Sequence, residues 1–561
     1  MLKHGLVILL QHHLAFHRTD ERDGLTYYEA NLDGAYALVR AGKSIDIVRE
    51  KFGEGAAQVA SNLLLLGHAS VKDLVDSYQL KSNGDVDQND QPNGTNGLLA
   101  ADAEIRSLEQ LHTTLHKLKR ASLVDAVTTK TFMSRADIDA EAASIARRSM
   151  PDQKAPRGKK EKDRYDRIVH SLKRRWRDSD MDEQDEDEYG PKRRKTNGST
   201  NGVNGTHGHH YEGVRLRDDL VLKLNHEKIN VLIRTQRLTD LAARFVGETS
   251  SRVYKALLEI MEEKQPRCFE DRLDPGDEDS DYDDNDDIIV TCADLLDRLP
   301  PDLDISLGIA ADAPARPNDT NGTNDPEEHD ELSTTALTTR STDDNHLILQ
   351  IARHLDILAY SNYKFVHRVG TAGGGQYKVE FADLCAALVQ LEIEDTVTPR
   401  FGNEAARLVR ILDRKGKLDE KQLSSLSLIR PRDVKVLLLD LQQAGFLDLQ
   451  EVPRDAARAP SRTMYLYFFD RDRARRKLLD DAYKVMARLL QRARVERARM
   501  RQLIEKAERS DVRGNEDKYL SAAERADLRR WRQKEEKLLI AVGRCDDVVA
   551  ALRDFLPERE D

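Results

Sequence analysis

The chain has 561 residues, of which 39% are hydrophobic, 34% are charged and only 5% are aromatic. At about 150 residues per domain it is long enough for several domains, and its polarity argues against one compact enzyme. The formal net charge is -11, so overall charge does not attract nucleic acid and any such contact has to be local. No apolar run approaches the roughly 20 residues that cross a bilayer, so no membrane span is expected.

Cysteine spacing and motif content both argue against a metal site or an active site. Cys268, Cys292, Cys385 and Cys545 are far apart and form no C-x-x-C pair, so neither a disulfide framework nor a structural zinc site is predicted. The Gly-rich element at 370–375 lacks the G-K-[ST] ending of a phosphate loop, and a wing tip explains it better. We therefore expect no catalytic constellation and no cofactor.

Four stretches are too polar to bury the apolar surface that offsets chain entropy. They are a charged linker at 133–212 and inserts at 81–97, 274–287 and 316–345, and all four are expected to be disordered.

Within the linker, Lys192, Arg193, Arg194 and Lys195 follow a proline and have the composition of a nuclear localisation signal. A flexible run of cations can lie along an acidic receptor groove. An ordinary solvated charge run is the alternative.

A helix-junction motif recurs three times, at 51–59, 244–253 and 400–408. In each copy a basic residue and an aromatic residue precede a glycine, and a second amphipathic helix follows. Recurrence of this kind predicts a series of small helical domains.

The segment after the third copy shows the complete pattern. A short helix is predicted at 419–426, a longer helix at 430–444, and strands at 446–449 and 463–469. Three helices followed by a β-hairpin is the winged helix-turn-helix pattern.

The fold class predicted for the whole chain is mainly α with small β-hairpins, arranged as tandem winged-helix domains. The boundaries are 1–33 for a partial first domain with only the recognition helix and wing, 34–132 for the second, 213–394 for the third and 395–470 for the fourth.

The segment 471–561 carries a heptad seam. Apolar residues alternate in steps of four and three from Met486 to Ala507, with Glu496 as one polar interruption, and resume from Leu528 to Leu556. This spacing predicts an antiparallel coiled-coil hairpin. An amphipathic helix pair that completes the last winged-helix domain is the alternative.

Candidate contact residues lie on the third helix of the winged-helix pattern, which can enter a major groove. Arg430, Arg432 and Lys435 are suited to phosphates in the fourth domain, and Lys3 and His4 hold a similar place in the first. Acidic residues share the fourth domain's helix, so protein contact is favoured over base reading.

A second candidate surface is the basic face of the first hairpin helix. Arg488, Arg492 and Arg499 lie outside the seam and could face an acidic protein or phosphates. A solvated coiled-coil flank is the alternative.

The most specific motifs are L-L-L-G-H at 64–68, Y-K-F-V at 363–366, G-K-L-D-E at 416–420 and G-F-L-D-L-Q-E-V-P-R at 445–454. They resemble the tandem winged-helix subunit of the RNA polymerase III-specific heterotrimer, a family similar to the alpha subunit of general transcription factor IIE. The resemblance implies four winged-helix domains and a coiled coil. This chain departs from the pattern in lacking the start of the first domain.

The resemblance also implies a role and partners. The chain is expected to be a non-catalytic nuclear subunit that docks on the clamp of the largest RNA polymerase III subunit, beside two smaller heterotrimer subunits. Promoter-directed initiation at transfer RNA, 5S RNA and other small RNA genes is expected, with contacts to the TATA-factor assembly and to promoter DNA near the opening site.

Two other classes remain open. A free-standing tandem winged-helix DNA-binding regulator would need clearly basic recognition helices. A winged-helix scaffold subunit of another large complex would normally carry one such domain after a helical repeat.

Overall fold

A computed structural model describes residues 2–19, 23–78, 105–150, 158–182, 216–268, 288–300, 303–308, 338–453, 463–512 and 515–556. The described residues form two compact units, one ending at Leu232 and one beginning at Ile233. Helices dominate both units, and every strand pair is antiparallel. The predicted fold class is confirmed. In the described part of the chain, no helix combines the length and apolar content needed to cross a bilayer.

The first unit opens with a helix and a hairpin. Helix α1 is Leu2–Gln11, and strands β1, Ala15–Thr19, and β2, Thr26–Ala30, pair from Ala15 opposite Ala30 to Thr19 opposite Thr26. They occupy the segment 1–33, for which the sequence predicts a recognition helix and a wing.

The second module has seven elements, four helices and the three strands of one sheet. They are α2 Leu32–Phe52, α3 Glu54–Leu66, β3 Ala69–Ser70, α4 Val71–Ser77, α5 Leu108–Arg120, β4 Val124–Ala126 and β5 Val221–Leu224. The strand order is β3-β5-β4, so the strand made last lies in the centre.

Strand β5 corrects a predicted boundary. The sequence assigns it to the third domain, 213–394, but it pairs with β3 and β4 of the second, whose predicted end is 132. Leu222 and Leu224 are buried at 2% and 4% exposure. Strand β5 therefore supplies both backbone hydrogen bonds to the sheet and side chains to the core of the second module. The second module's sheet therefore closes only near residue 224, and its wing is the connection between β4 and β5.

That wing contains two helices, which corrects the prediction of a disordered linker at 133–212 over its described part. They are α6, Arg135–Ser149, and α7, Lys159–Asp182. Tyr165, Leu172 and Trp176 recur at helical spacing on α7 and are partly buried. Composition alone hides this amphipathic period.

The third module repeats the same order and lies mainly in the second unit. Its elements are α8 His226–Phe245, α9 Glu248–Lys264, β6 Val290–Thr291, α10 Cys292–Leu296, α11 Thr338–Tyr360, β7 His367–Gly370 and β8 Gln376–Lys378. The sheet order β6-β8-β7 matches that of the second module. A 3₁₀ turn at Ala372–Gly374 joins β7 to β8, so the Gly-rich element is a wing tip. Because α11 begins at Thr338, the insert predicted at 316–345 extends too far.

The fourth module completes the series. Its elements are α12 Phe381–Phe401, α13 Asn403–Lys415, α14 Glu420–Ser427, α15 Pro431–Gln443, β9 Leu447–Pro453 and β10 Thr463–Phe469. Leu418 bridges to Tyr467 of β10 and replaces the first strand. Helix α12 crosses the predicted boundary at 394, because its buried residues Val389, Ile393 and Val397 belong to the fourth module's core.

A glycine joins the first two helices of all three complete modules. Gly53, Gly247 and Gly402 have φ angles of 90°, 127° and 88°, and each one begins the second helix of its pair. The repeated motif in the sequence is therefore a shared helix-helix junction. Its glycine has a backbone conformation that residues with a side chain rarely adopt.

The chain ends in an antiparallel helical hairpin, as predicted. It comprises α16 Arg471–Arg499, α17 Arg501–Ala507, α18 Glu516–Tyr519, α19 Ala522–Val549 and a π-helical turn at Ala550–Asp554. Lys506 pairs with Glu524 at 2.7 Å near the tip, and Arg475 donates to the carbonyl of Leu552 at 2.8 Å near the base.

The base of the hairpin also completes the fourth module. Ala474, Leu478 and Leu552 share one buried cluster with residues of α13 and α15. The predicted boundary at 470 therefore does not separate two cores, and the alternative of a helix pair that completes the last domain holds for this base.

Candidate docking and nucleic-acid surfaces

Helix α15 presents the predicted contact residues of the fourth module to solvent. Arg430 is the N-cap residue, and its carbonyl accepts from the backbone amides of Asp433 and Val434 at 3.0 Å. Arg430, Arg432 and Lys435 are exposed. Lys435 also pairs with Glu420 at 3.5 Å, so that part of its charge is already balanced by its own module.

The outer face of α15 is mixed in character. Val436 and Leu439 are 59% and 53% exposed, and they lie on one face with Arg432 and Lys435. We call these four residues the docking strip. Aliphatic side chains at its centre offer bases no donors or acceptors. The strip is therefore better suited to a protein partner than to base reading, and the sequence period alone could have identified Val436 and Leu439.

The turn before α15 is held in a fixed shape. Ser424 donates to the carbonyl of Ile429 at 2.7 Å, and Arg407 donates to the carbonyl of Ser427 at 3.1 Å. Leu428 between them has a left-handed backbone, φ 57°, and is 89% exposed. An exposed leucine in a conformation that costs about 1 kcal/mol extends the apolar surface next to α15.

Two of the three predicted arginines of α16 converge on Glu496. Arg492 lies 2.7 Å and Arg499 3.1 Å from its carboxylate, and Lys534 of α19 lies 3.8 Å away. The Glu496 side chain is only 9% exposed, whereas the side chains of Arg492 and Arg499 are more than half exposed. Arg488 is exposed and has no ion-pair partner among the described residues. Of the three, Arg488 is best placed to meet an external anion.

Lys3 and His4 are exposed on α1 of the first unit, as their predicted role requires. Leu2, Val7 and Leu9 of the same helix are also exposed, at 92%, 61% and 43%. This helix therefore combines the cation of Lys3 with a large apolar surface, much as α15 combines the two. Lys192, Arg193, Arg194 and Lys195 lie outside the described residues.

The first module is fixed to the second through a cluster of rings. His13 lies 5.0 Å from His68 and 5.1 Å from Phe132, measured between ring centroids. A Cβ on Gly67 would lie 2.0 Å from the carbonyl oxygen of Gln11, so only glycine permits this approach. Burial, with the nearby Lys223 as a smaller cause, lowers the pKa of His13 to about 3.

Two other titratable groups, Cys385 and Tyr78, are buried in the protein core. Burial raises the pKa of Cys385 to about 11 and the pKa of Tyr78 to about 12. Among the described residues, no group of three or more His, Cys, Asp or Glu side chains could hold a metal ion.

Sequence reasoning misses one strongly charged surface. Exposed cations follow the outer side of α7, including Lys160, Arg164 and Arg175. The helical period of its basic run is a signal for this face, but the composition of the run predicts only a linker.

Comparison with known proteins gives a consistent result over nearly the full length. The family model for RNA polymerase III subunit RPC82 matches residues 113–388, and the model for the C-terminal winged-helix domain of POLR3C matches 393–469. The chain is 36% identical to DNA-directed RNA polymerase III subunit RPC-3 of Coccidioides immitis over 99% of this chain and 92% of that protein. It is 35% identical to subunit rpc3 of Ajellomyces capsulatus over 99% and 94% of the two chains. Identity to subunit rpc3 of Aspergillus oryzae is 33% over 99% and 92%. The chain therefore belongs to the RPC82 family of RNA polymerase III subunits.

Proposed function

We propose that this chain is a non-catalytic, nuclear subunit of DNA-directed RNA polymerase III that acts in promoter-directed initiation at transfer RNA, 5S RNA and other small RNA genes. It docks on the clamp of the largest subunit beside two smaller heterotrimer subunits. It also contacts the TATA-factor assembly and promoter DNA near the opening site. Family membership and the exposed surfaces of the winged-helix modules support this proposal.

The docking strip on α15 carries the protein-docking part of the proposal. A buried interface core is typically apolar and its rim polar. Val436 and Leu439 supply the apolar centre, while Arg432 and Lys435 supply a cationic edge. The partner surface that this pattern fits is apolar with acidic residues around it.

The same module supports DNA contact of a sequence-independent kind. Arg430, Arg432 and Lys435 are exposed at the start of α15, where cations can reach phosphates beside the groove. Because the helix centre is aliphatic, these contacts would position DNA without reading its sequence.

The docking part is tested by placing carboxylates in the apolar centre. The full-length V436D/L439D variant should recover the polymerase at least tenfold less well in affinity purification, because two charges would have to be desolvated. The I289D/L307D variant is the matched control, since both side chains are exposed in the third module, at 39% and 60%. Equal recovery of the polymerase with both variants would refute docking through α15.

The DNA part is tested through salt dependence. The R430Q/R432Q/K435Q variant should bind duplex DNA with a shallower dependence of affinity on salt, by about 0.9 in slope for each phosphate that the variant no longer neutralises. A slope identical to that of the parent chain would count against phosphate binding at α15, whatever the docking result.

Arg488 tests the hairpin surface separately. The R488E variant leaves the Glu496 cluster intact and should weaken polymerase recovery if α16 faces an acidic protein. Undiminished recovery would remove α16 from the docking surface.

A further inference from the structure

Helix α7 carries a continuous basic face, which we call the α7 stripe. It consists of Lys160, Arg164, Arg167, Arg174 and Arg175. Their successive separations of four, three, seven and one residues keep them within about 100° of one another around a helix with 3.6 residues per turn.

The opposite face of α7 is fixed to its own module. The Tyr165 hydroxyl donates to the carbonyl of Ala143 at 3.4 Å, and Lys173 pairs with Asp139 on α6. The Lys130 ammonium lies 4.6 Å from the centre of the Trp176 ring. These contacts turn the α7 stripe outward and keep it there.

Three of the five cations of the stripe are free of ion pairs with the described residues. Lys160, Arg164 and Arg175 are exposed and have no ion-pair partner in the part of the chain that the structure describes. Glu161 and Asp163, at the two margins of the stripe, are the acids that flank it on the helix. The chain's net charge of -11 therefore masks a local cationic surface.

The position of the stripe in the fold points to nucleic acid. Helices α6 and α7 lie in the connection between β4 and β5, which is the wing of the second module. A wing is the part of this fold that reaches the sugar-phosphate backbone or minor groove.

The chemistry of the face separates nucleic acid from a protein partner. Among the described side chains of α7 none is a large exposed hydrophobe, in contrast to the docking strip on α15. Protein interfaces have an apolar core, whereas nucleic-acid interfaces are more polar and much more positively charged. Arginine also matches phosphate oxygens with two parallel donors.

We propose that the α7 stripe binds the phosphate backbone of duplex DNA, as a contact separate from α15. From Lys160 to Arg175 the helix rises about 22 Å, which equals the rise of about six to seven base pairs. The proposal rests on the proposed function, in which the duplex is promoter DNA, and adds a second site of contact to it. It predicts no sequence preference.

The test uses the full-length K160Q/R164Q/R175Q variant and a fluorescent 20-base-pair duplex of arbitrary sequence. The slope of log affinity against log salt should become shallower by about two to three, since each lost contact between a cation and a phosphate reduces its steepness by about 0.9. Glutamine preserves helix propensity, and circular dichroism verifies the helix content.

The matched control is R529Q/K537Q/R544Q, which removes the same charge from exposed positions of α19. It should leave the slope within error of the parent chain. Recovery of the polymerase should be unaffected in the stripe variant, which separates failure of this proposal from failure of the docking proposal.

A gain-of-charge variant makes the test independent of any folding defect. Ser171 is exposed on the same face, between Arg167 and Arg174, so S171R should steepen the salt slope by about 0.9 and tighten binding. The proposal is overturned by an unchanged slope in both variants. It is also overturned if the triple variant loses the polymerase but keeps its DNA binding, because the stripe then serves an acidic protein.

Discussion

At the scale of single residues, Glu496 explains the polar interruption of the hairpin seam. Its buried carboxylate forms ion pairs with Arg492 and Arg499 of its own helix and with Lys534 of α19. A charge at a seam position costs stability but favours one register over its neighbours. The interruption therefore specifies how the two helices align.

This role gives opposite expectations for two substitutions. E496Q should lower the free energy of unfolding by about 1 to 2 kcal/mol, because it removes charge-assisted hydrogen bonds while the cations stay half exposed. E496L should be at least as stable as the parent, because it makes the seam continuous. Urea unfolding followed by Trp531 fluorescence in a W176F background measures both. A leucine variant less stable than the glutamine variant would contradict this account.

His13 makes the joint between the first two modules sensitive to acid. Burial holds the folded pKa of His13 near 3 and also lowers the pKa of His68 and, to about 4, that of His226. A base with a depressed folded pKa binds more protons when unfolded, so its stabilisation is full above about pH 6.5 and is lost as the pH falls towards 3.

The H13N variant tests this dependence, since asparagine does not titrate and tolerates the positive φ of 54°. The parent chain's melting temperature should fall as the pH drops from 7.5 to 5, and the H13N variant should show a smaller fall. Parallel curves for the two proteins would show that His13 does not contribute.

At the scale of elements, local patterns are sufficient for much of the fold. The predicted helices at 419–426 and 430–444 match α14 and α15 within a few residues, because their caps and apolar period lie within the segments themselves. Strand β5 could not be assigned to its sheet, because its partners lie about 95 and 150 residues away. The α7 surface escapes prediction because the composition of the segment indicates a linker while its period indicates a helix.

The junction glycines provide a test of the repeated element. G402A should destabilise the chain by about 1 to 3 kcal/mol, because a φ of 88° with ψ of 170° is almost confined to glycine. No atom lies within 4 Å of the added Cβ, so a clash cannot explain the loss.

Gly543 offers the matched comparison within α19. It also has no atom within 4 Å of an added Cβ, but it lies inside a helix with ordinary backbone angles. G543A should therefore stabilise by up to about 1 kcal/mol. Thermal unfolding measures both, and equal effects of the two substitutions would contradict the backbone explanation.

At the scale of the whole molecule, the chain end is part of the fourth winged-helix core. Leu552 is fully buried and belongs to one core cluster with residues of α12, α13 and α15. The hairpin and the fourth module should therefore unfold as one cooperative unit, although the sequence shows them as successive segments.

The L552A variant tests this coupling. It should cost about 2 to 5 kcal/mol, and amides of α13 and α15 should lose protection in hydrogen exchange. L539A is the control, since Leu539 of α19 is 53% exposed and its truncation should cost less than about 0.5 kcal/mol. Reduced protection confined to α19 would show that the two parts are independent.

The place of β5 in its sheet has a consequence for biosynthesis. The central strand is made about 150 residues after β3 and about 95 after β4. At 5 to 20 residues per second, the ribosome needs about 8 to 30 seconds to supply it after β3. Until then both edge strands lack their shared partner while the wing is translated. The length of the wing thus sets a minimum delay before the sheet of the second module can be completed during synthesis.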